Sequence, residues 1–576
     1  MNRKILRRPL PSALPRLGSE VPAVLTRIYA QRGISGAQEL EQGLAFLPPM
    51  ASMRGLERAV EILAGALAAG QRILIIGDFD ADGATSSTVA VRALRMMGAT
   101  AVDFLVPNRF EYGYGLTPEI VEVAKQFQPD VIVTVDNGIA SIDGVAAAKA
   151  NGWQVVVTDH HLPGDVLPAA DAIVNPNQPG CTFPSKNLAG VGVIFYVMLA
   201  LRAALRESGY FQRKALEEPN LGLLLDLVAL GTVADVVALD QTNRILVAQG
   251  LARIRRGLCC PGISALLEVG GRQREKVAAS DMGFIVGPRL NAAGRLEDMA
   301  IGINCLLSEN MTDALVAARE LDRLNRERRS IEREMQDQAM ANLETLQFDD
   351  EAALPTGLCI FQEDWHQGVI GILASRIKDK FHRPVIAFAA ADEENIKGSA
   401  RSVPGFHIRD GLDAVATRHP GLITNFGGHA MAAGLTIKRE CLDAFQQAFD
   451  AEVQRHLGPE DLQGVVWSDG ELDATELSLE VAEQLRQGGP WGQAFPEPVF
   501  DGDFSVVNRR IVGERHLKLL LQTPCGQQRI DAIAFNTTDE DWPANTERVH
   551  AAFKLDVNEY KGRRSPQLLV DYIEPL

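Results

Sequence analysis

The sequence predicts an α/β protein: a parallel-sheet domain, a long connecting helix, a second mixed α/β domain and a small C-terminal β-barrel. Three observations carry that prediction. Between residues 72 and 176, short Val- and Ile-rich runs alternate with helical stretches. Residues 312 to 346 read as one long charged helix, and five short β-type runs separated by turn residues follow residue 500.

Each element has its own signature. Continuous apolar runs at 72–76, 130–135, 154–158 and 171–174 suit strands buried on both faces. Between them lie helical stretches at 84–97, 117–128 (opened by Thr117-Pro118) and about 142–150. Strand alternating with helix implies parallel pairing through right-handed crossovers. Mostly helical sequence follows from about 187 to 305. Its uncharged apolar run, 188–201, is too short to span a bilayer and fits a buried core helix. The 312–346 helix carries an apolar stripe beneath faces where arginines and glutamates interleave, as expected of a rigid, salt-bridged link between lobes. A second mixed α/β block spans about 356–457, with apolar runs at 357–361 and 384–389. Runs at 504–507, 517–521, 530–535, 550–555 and 567–570 suit a small barrel of the OB type.

Composition bounds the function. The chain has 576 residues, with 57 Lys and Arg against 74 Asp and Glu for a net charge of -17, and 46% of it is apolar. That is an ordinary folded chain of several domains. The acidic excess disfavours polyanion binding over the whole surface, but metal-binding carboxylates neutralised by cations would account for part of it. The seven cysteines are scattered and form no C-x-x-C pair, which argues for a reducing compartment and against a disulfide framework or a cysteine zinc site. The N-terminal segment is basic, and prolines interrupt it before an apolar core can form, so no signal peptide is expected. A soluble, cytoplasmic protein without a membrane partner is the expectation.

The chemistry concentrates at strand ends. Gly77-Asp78-Phe79-Asp80-Ala81-Asp82-Gly83 directly follows the first apolar run. Three carboxylates so closely spaced on a turn raise one another's pKa unless a cation joins them. A calcium EF-hand fails here: the twelfth loop position is Val89, and a strand precedes the loop in place of a helix. Two further runs end in Asp136-Asn137-Gly138 and Asp159-His160-His161. Strand carboxyl ends share one edge of a parallel sheet, so Asp78, Asp80, Asp82, Asp136, Asp159, His160 and His161 are expected to converge there. Carboxylate and imidazole donors without thiolate favour manganese, magnesium or iron over structural zinc, and more than four donors suggest two ions. Asp235, in Gly231-Thr232-Val233-Ala234-Asp235, ends an apolar helix and by itself reads equally as a cap.

Taken in order, DADG after a strand, VTVDNG, TDHH and GTVADVV resemble the four motifs of the DHH phosphoesterase superfamily. Segments 287–295, 398–402 and 426–434 match later motifs, the last two resembling the DHH-associated domain. With the long helix and the barrel, nearly the whole chain is similar to the superfamily's single-strand-specific 5′→3′ DNA exonucleases. The resemblance implies a DHH catalytic domain over 1–305 (core sheet about 70–240), the connecting helix over 306–350, a DHH-associated domain over 351–460 and a nucleic-acid-binding barrel over 461–576.

It also assigns roles. Asp78, Asp80, Asp82, Asp136, His160 and Asp235 would hold two divalent ions, manganese first and magnesium second, with Asp136 bridging. Asp136, His160, His161 and Asp159 form the catalytic set, His161 as phosphate contact or proton donor and Asp159 as the group orienting its neighbours. Gly427-Gly428-His429 precedes a predicted helix at Ala430, which reads either as an anion-binding N-terminus or as a tight turn. Arg109, Arg289, Ser399, Arg401 and His429, with Gly427 and Gly428, would contact the 5′ phosphate and nearby backbone.

In the barrel, Arg509, Arg510, Arg515, Lys518, Lys554, Lys561, Arg563 and Arg564 are candidates to track a DNA backbone, with Phe504, Phe535 or Tyr560 stacking on bases. The implied partner is single-stranded DNA with a 5′ end, and resemblance adds a single-strand-binding protein and a helicase in repair and recombination by a monomeric enzyme. Two rivals remain on the sequence: a DHH hydrolase of small phosphoesters (pyrophosphate, short oligoribonucleotides, cyclic dinucleotides), and a catalytically silent DNA-binding scaffold.

Overall fold

The four apolar runs of the first domain form strands, and a fifth joins them. In the computed structural model, which describes residues 3–107, 115–345, 354–513, 516–526, 528–535, 537, 546–560 and 562–576, β1 (Arg3–Arg7) comes first. Then β2 (Ile73–Ile76), β3 (Val102–Leu105), β4 (Val131–Val135), β5 (Gln154–Thr158) and β6 (Ala172–Val174) make one all-parallel sheet in the order β3-β2-β4-β5-β6. β2 and β4 are buried at every residue, as their unbroken apolar sequence demands. β3 lies outside the predicted runs. It is an edge strand with only Val102 buried and Asp103 exposed, so it lacks the continuous apolar signature.

The topology positions the site. From β2 the chain moves to β3 on one side, then crosses to β4 on the other and continues outward to β5 and β6. The sheet therefore reverses between β2 and β4, and the crevice beyond the strand carboxyl ends at such a reversal is where open α/β sheets bind ligands. The crossover helices are α1 (Ala81–Met96), α2 (Pro118–Ala124) and α3 (Ile142–Ala150). The predicted core run becomes α4 (Gly190–Glu207), buried along most of its first half, and it packs on α1 together with α5 (Leu225–Ala234). A π-helical turn, Met282–Val286, leads into α6 (Gly287–Leu296).

Two compact units divide the chain. One comprises Pro9–Asn325 with Glu471–Leu576, the other Met1–Arg8 with Arg326–Gly470. The predicted long helix, α7 (Met311–Thr345), begins in the first and continues in the second. The second unit holds β7 (Leu358–Phe361), β8 (Val385–Ala390), β9 (Asn395–Arg401), β10 (Asn425–Gly428) and β11 (Ala432–Lys438), in the order β10-β11-β9-β8-β7. β7 and β8 are parallel and the other pairs antiparallel. It also contains α8 (Ile370–Phe381), α9 (Ile408–Arg418), α10 (Leu442–Gln454) and β12 (Gly464–Ser468), which pairs in parallel with β1.

One expectation is overturned here. No helix starts at Ala430: Gly427 and Gly428 end β10, residues 429–431 turn, and β11 begins at Ala432. Ala433, Leu435 and Ile437 are buried on alternate positions of β11, a period of two that the alanine-rich composition disguises as helix.

The barrel closes as β13 (Phe500–Val512), β14 (His516–Gln522), β15 (Arg529–Ala534), β17 (Arg563–Pro575) and β16 (Arg548–Tyr560), in that spatial order. The predicted runs are the apolar middles of longer strands. Phe504, a predicted stacking residue, is instead core: it is buried, with its ring 5.6 Å from that of Phe553. Phe535 and Tyr560 are exposed. Lys518, Lys554 and Arg564 are in ion pairs with Asp531, Glu497 and Glu483, so three of the six described basic candidates already face an acid. Arg515 and Lys561 lie outside the described residues. Among the described residues no helix is long and apolar enough to cross a membrane.

Candidate metal centre

Three neighbouring strands deliver acids to one crevice. Asp78 follows β2, Asp136 follows β4 and Asp159 follows β5, and the register Ile76↔Thr134 and Val135↔Thr158 brings those ends level. Asp80 is the N-cap of α1, its Oδ1 accepting from the backbone N–H groups of Asp82 (2.9 Å) and Gly83 (3.0 Å). Asp82 therefore sits in the first turn of α1, not on the preceding turn. Asp235 arrives from elsewhere as the C-cap of α5.

The donors converge. His160 Nε2 lies 3.1 Å from Asp136 Oδ1, 3.5 Å from Asp235 Oδ2 and 3.9 Å from Asp82 Oδ2. Three groups of residues each offer ligand atoms within 4.8 Å of one another: Asp78, Asp80 and Asp136; Asp82, His160 and Asp235; and Asp136, His160 and His161. The first two groups share no member and together contain all six residues read as ligands from the sequence. Oxygen and imidazole donors of this kind fit manganese or magnesium.

The electrostatics demand a cation. Burial, then the charge of Asp80, pushes Asp82 up to about 7, against the pull of the amides of Val191 and Gly190. Burial, then the charges of Asp82, Asp80, Asp235 and Asp78, holds Asp136 well above the ordinary carboxylate range. Asp235 is raised for the same reasons, burial first and then Asp82, Asp80, Asp78 and Asp159. Opposing this repulsion, the N-termini of α1 and α4 both face the acids. Asp82 Oδ2 accepts from Gly190 N–H at 2.7 Å and its Oδ1 from Val191 N–H at 2.9 Å, so it also caps α4.

Two of the candidate ligands sit next to strained or crowded backbone. Asp136 has φ 62°, the left-handed region that Asp tolerates better than most residues, and Val236, directly after Asp235, has φ 63°. Gly190 abuts Asp136 so closely that a Cβ there would lie 2.6 Å from Asp136 Oδ1. Gly190→Ala is expected to displace that carboxylate, weakening Mn(II) binding by about ten- to a hundredfold at a stability cost of about 1–3 kcal/mol. Titration calorimetry beside thermal unfolding checks it; unchanged Mn(II) affinity would show that the crowding is relieved elsewhere.

Asp159 organises the turn that bears the histidines. Its Oδ1 accepts from the backbone N–H groups of His160 (2.7 Å) and His161 (3.1 Å) and meets His161 Nδ1 at 2.8 Å, while its Oδ2 accepts from Ile139 N–H at 2.9 Å. Burial alone would raise Asp159, but the hydrogen bond and charge of His161 with those amides bring it below the usual range. Burial likewise lowers His161, and Asp159, with the charges of Asp78 and Asp80, reverses this and lifts it to about 9.

Residues that sequence reasoning missed complete the support. Asn177 Nδ2 donates to the His160 carbonyl (2.6 Å) and Asn175 Nδ2 to that of His161 (2.9 Å). Both follow β6, so the rule that found the other strand ends would have found these. Asn291 Oδ1 accepts from Ala81 N–H at 2.7 Å, tying α6 to the start of α1.

The substrate-binding candidates divide. Arg109 lies outside the described residues. Arg289, read as a phosphate contact, is buried inside its unit: Nη2 and Nε lie 2.8 and 3.0 Å from Asp322 Oδ1, and Nη1 donates to the Ile285 carbonyl at 2.6 Å. In the other unit, the register brings Ser399 opposite Gly434 and Gly434 opposite Gly427, with Arg401 opposite Ala432. Arg401 Nη1 donates to Ser399 Oγ (3.1 Å) and to the Ala400 carbonyl (2.8 Å), and burial lowers its pKa. A Cβ on Gly371, in the first turn of α8, would lie 2.9 Å from both Arg401 Nη2 and Ser399 Oγ. The helix N-terminus near this arginine is thus that of α8, whose entry His366 Nδ1 steadies by accepting from Gly368 N–H. Gly428 ends β10, and His429, exposed on the hairpin, donates its backbone N–H to the Ala432 carbonyl.

Acids and imidazole gathered at the reversal of a parallel sheet, in a chain that also holds a second α/β sheet and a closed barrel, are the marks of the DHH class. Residues 72–232 match the profile of the DHH family N-terminal domain, 355–455 that of the DHHA1 domain and 468–572 that of the RecJ OB domain. The sequence is 55% identical to the single-stranded-DNA-specific exonuclease RecJ of Dickeya dadantii over 98% of both chains. Crystal structures of Thermus thermophilus RecJ superpose with TM-score 0.80 in complex with Mn2+ (30% identity, 100% of this chain and 79% of that one) and 0.75 with Mg2+ (28%, 100% and 78%). The chain belongs to the RecJ family.

Proposed function

We propose that this protein is a metal-dependent exonuclease that digests single-stranded DNA from the 5′ end and releases 5′-mononucleotides. The observation that carries the reading is the convergence of Asp78, Asp80, Asp82, Asp136, His160 and Asp235 at the sheet reversal. Asp78, Asp80 and Asp136 would hold one divalent ion and Asp82, His160 and Asp235 the other. Asp136 stands between them, 3.1 Å from His160 Nε2. Manganese or magnesium bound there would activate water for in-line attack and neutralise charge on the phosphate.

The remaining roles fall to the chain's own groups. Asp159 fixes the His161 ring and raises its proton affinity, so His161 can contact the phosphate or give a proton to the leaving oxygen. Ser399 and Arg401, with Gly427, Gly428 and His429, would receive the 5′ phosphate. Arg401 is a half-buried cation whose named hydrogen bonds go to a hydroxyl and a carbonyl, and guanidinium suits bidentate phosphate contact. Arg401→Lys is expected to raise KM for 5′-phosphorylated strands about tenfold with little change for 5′-hydroxyl ends, because only the bidentate geometry is lost. Equal KM for both ends in the parent would remove this assignment.

Domain limits follow the same reading: catalytic domain 1–305, connector 306–350, DHH-associated domain 351–460 and DNA-binding barrel 461–576. The enzyme would act as a cytoplasmic monomer in repair and recombination, beside a helicase and a single-strand-binding protein. The deciding experiment digests 5′-labelled and 3′-labelled single strands with manganese added or chelated, alongside pyrophosphate and short RNA. Early release of the 5′ label only when manganese is present is expected. Turnover of the small substrates alone would replace this reading with that of a small-phosphoester hydrolase.

A further inference from the structure

Phe284 is 74% exposed although it sits in a turn whose flanking residues Met282 and Val286 are buried. Scattered exposed apolar residues are normal on any protein. What distinguishes Phe284 is the segment that carries it. From residue 283 to 294 this segment lies along the metal motif with one face. A Cβ on Gly294 would collide with the Phe79 carbonyl, Asn291 holds Ala81 N–H, a Cβ on Gly287 would lie 3.1 Å from Ala234 Cβ, and one on Gly283 would lie 3.4 Å from Val233 Cγ1. Spacings of three and four residues put these contacts on one side. Phe284 follows Gly283 and so stands beside the end of α5, where Asp235 enters the metal centre.

A second exposed apolar group lies at the end of α5. Val236, next to Asp235, is 63% exposed and adopts φ 63°, a conformation costly for a β-branched side chain. The π-helical turn is itself an irregularity of a kind that concentrates at functional sites. The donors of the centre are all carboxylates and imidazoles, which offer nothing to the face of a nucleobase. A strand whose phosphate enters that crevice must place its bases outside it, against whatever apolar surface borders the acids.

We propose that Phe284 is the platform on which an unpaired base next to the scissile phosphate stacks. The inference rests on the exonuclease reading above and assigns Phe284 as a positioning and specificity residue. A paired base is held in line by its complementary strand and must be unpaired before it can turn onto a platform at the rim, so a stacking requirement there favours single strands.

The test compares Phe284→Ala, Phe284→Trp and the parent on ordinary single-stranded DNA and on the same oligonucleotide with abasic sites near the 5′ end. Phe284→Ala is expected to raise KM on ordinary DNA about tenfold, with Mn(II) affinity unchanged and Phe284→Trp close to the parent. On the abasic strand the parent should fall to the level of Phe284→Ala. Equal KM for parent and Phe284→Ala on ordinary DNA overturns the platform while leaving the exonuclease intact. A loss as large on abasic as on ordinary DNA also overturns it, by showing a structural role. Failure of the parent to digest any single strand would instead remove the exonuclease reading.

Discussion

Replacing Asp136 with asparagine is expected to lower single-stranded DNA hydrolysis by about three orders of magnitude, the scale of the several kcal/mol of charge stabilisation that metal ions supply to such a reaction. The substitution is nearly isosteric, and Asn accepts φ 62° as readily as Asp, so the fold should survive. One of several crowded negative charges disappears, and the metal-free variant should therefore unfold at a higher temperature than the metal-free parent. DNA affinity in chelator should change little, because backbone contacts and metal chemistry are separate contributions. Single-turnover rates, anisotropy binding and thermal unfolding measure the three quantities. Turnover within tenfold of the parent would show that the two ions do not meet at Asp136.

The second large effect concerns pH and metal removal. In the metal-free protein Asp82 is raised to about 7, and Asp136 and Asp235 are raised too, against about 3.9 for an unfolded Asp. A carboxyl raised in the folded state binds its proton more tightly there. Its contribution to stability is complete below about pH 4 and is lost as pH climbs through the folded value. His161, raised to about 9, has the same sign: its stabilisation is full below its unfolded value and disappears as pH rises through about 9. Asp159 is lowered and opposes this only on the acid side, losing its contribution as pH falls. The chelated protein should thus lose thermal stability steadily from about pH 5 to 9. Manganese should cancel that loss, with an increment that grows with pH and reaches about 5–10 °C at a hundredfold excess over Kd. Binding should release protons, visible as a dependence of calorimetric enthalpy on buffer ionisation. A manganese increment independent of pH would mean that the buried carboxylates are not the ligands.

Legibility followed the range of the interactions. Strands β2, β4, β5 and β6, the helix from Ile142 to Ala150 and the long helix could be placed from local pattern, since full burial and helical period are written into consecutive residues. β3 escaped because an edge strand tolerates Asp103. The pairing of β1 with β12 joins segments some 460 residues apart, and nothing in either short run announces the other. Arg289 illustrates the same limit: its pairing with Asp322, 33 residues on, is visible only in the fold.

What the sequence determined by itself was the chemistry. The types and order of Asp78, Asp80, Asp82, Asp136, Asp159, His160 and His161 at strand ends required a cation, because like charges at such spacing cannot remain ionised unaided. Tertiary structure alone decided the partnerships: which acids and imidazoles lie within reach of one another, that Asp82 also caps α4, that Asp159 steers His161, and that Gly427 and Gly428 end a strand. Those depend on distances across the fold, which fall off too steeply for linear order to encode, whereas charge and hydropathy belong to each residue wherever it lies.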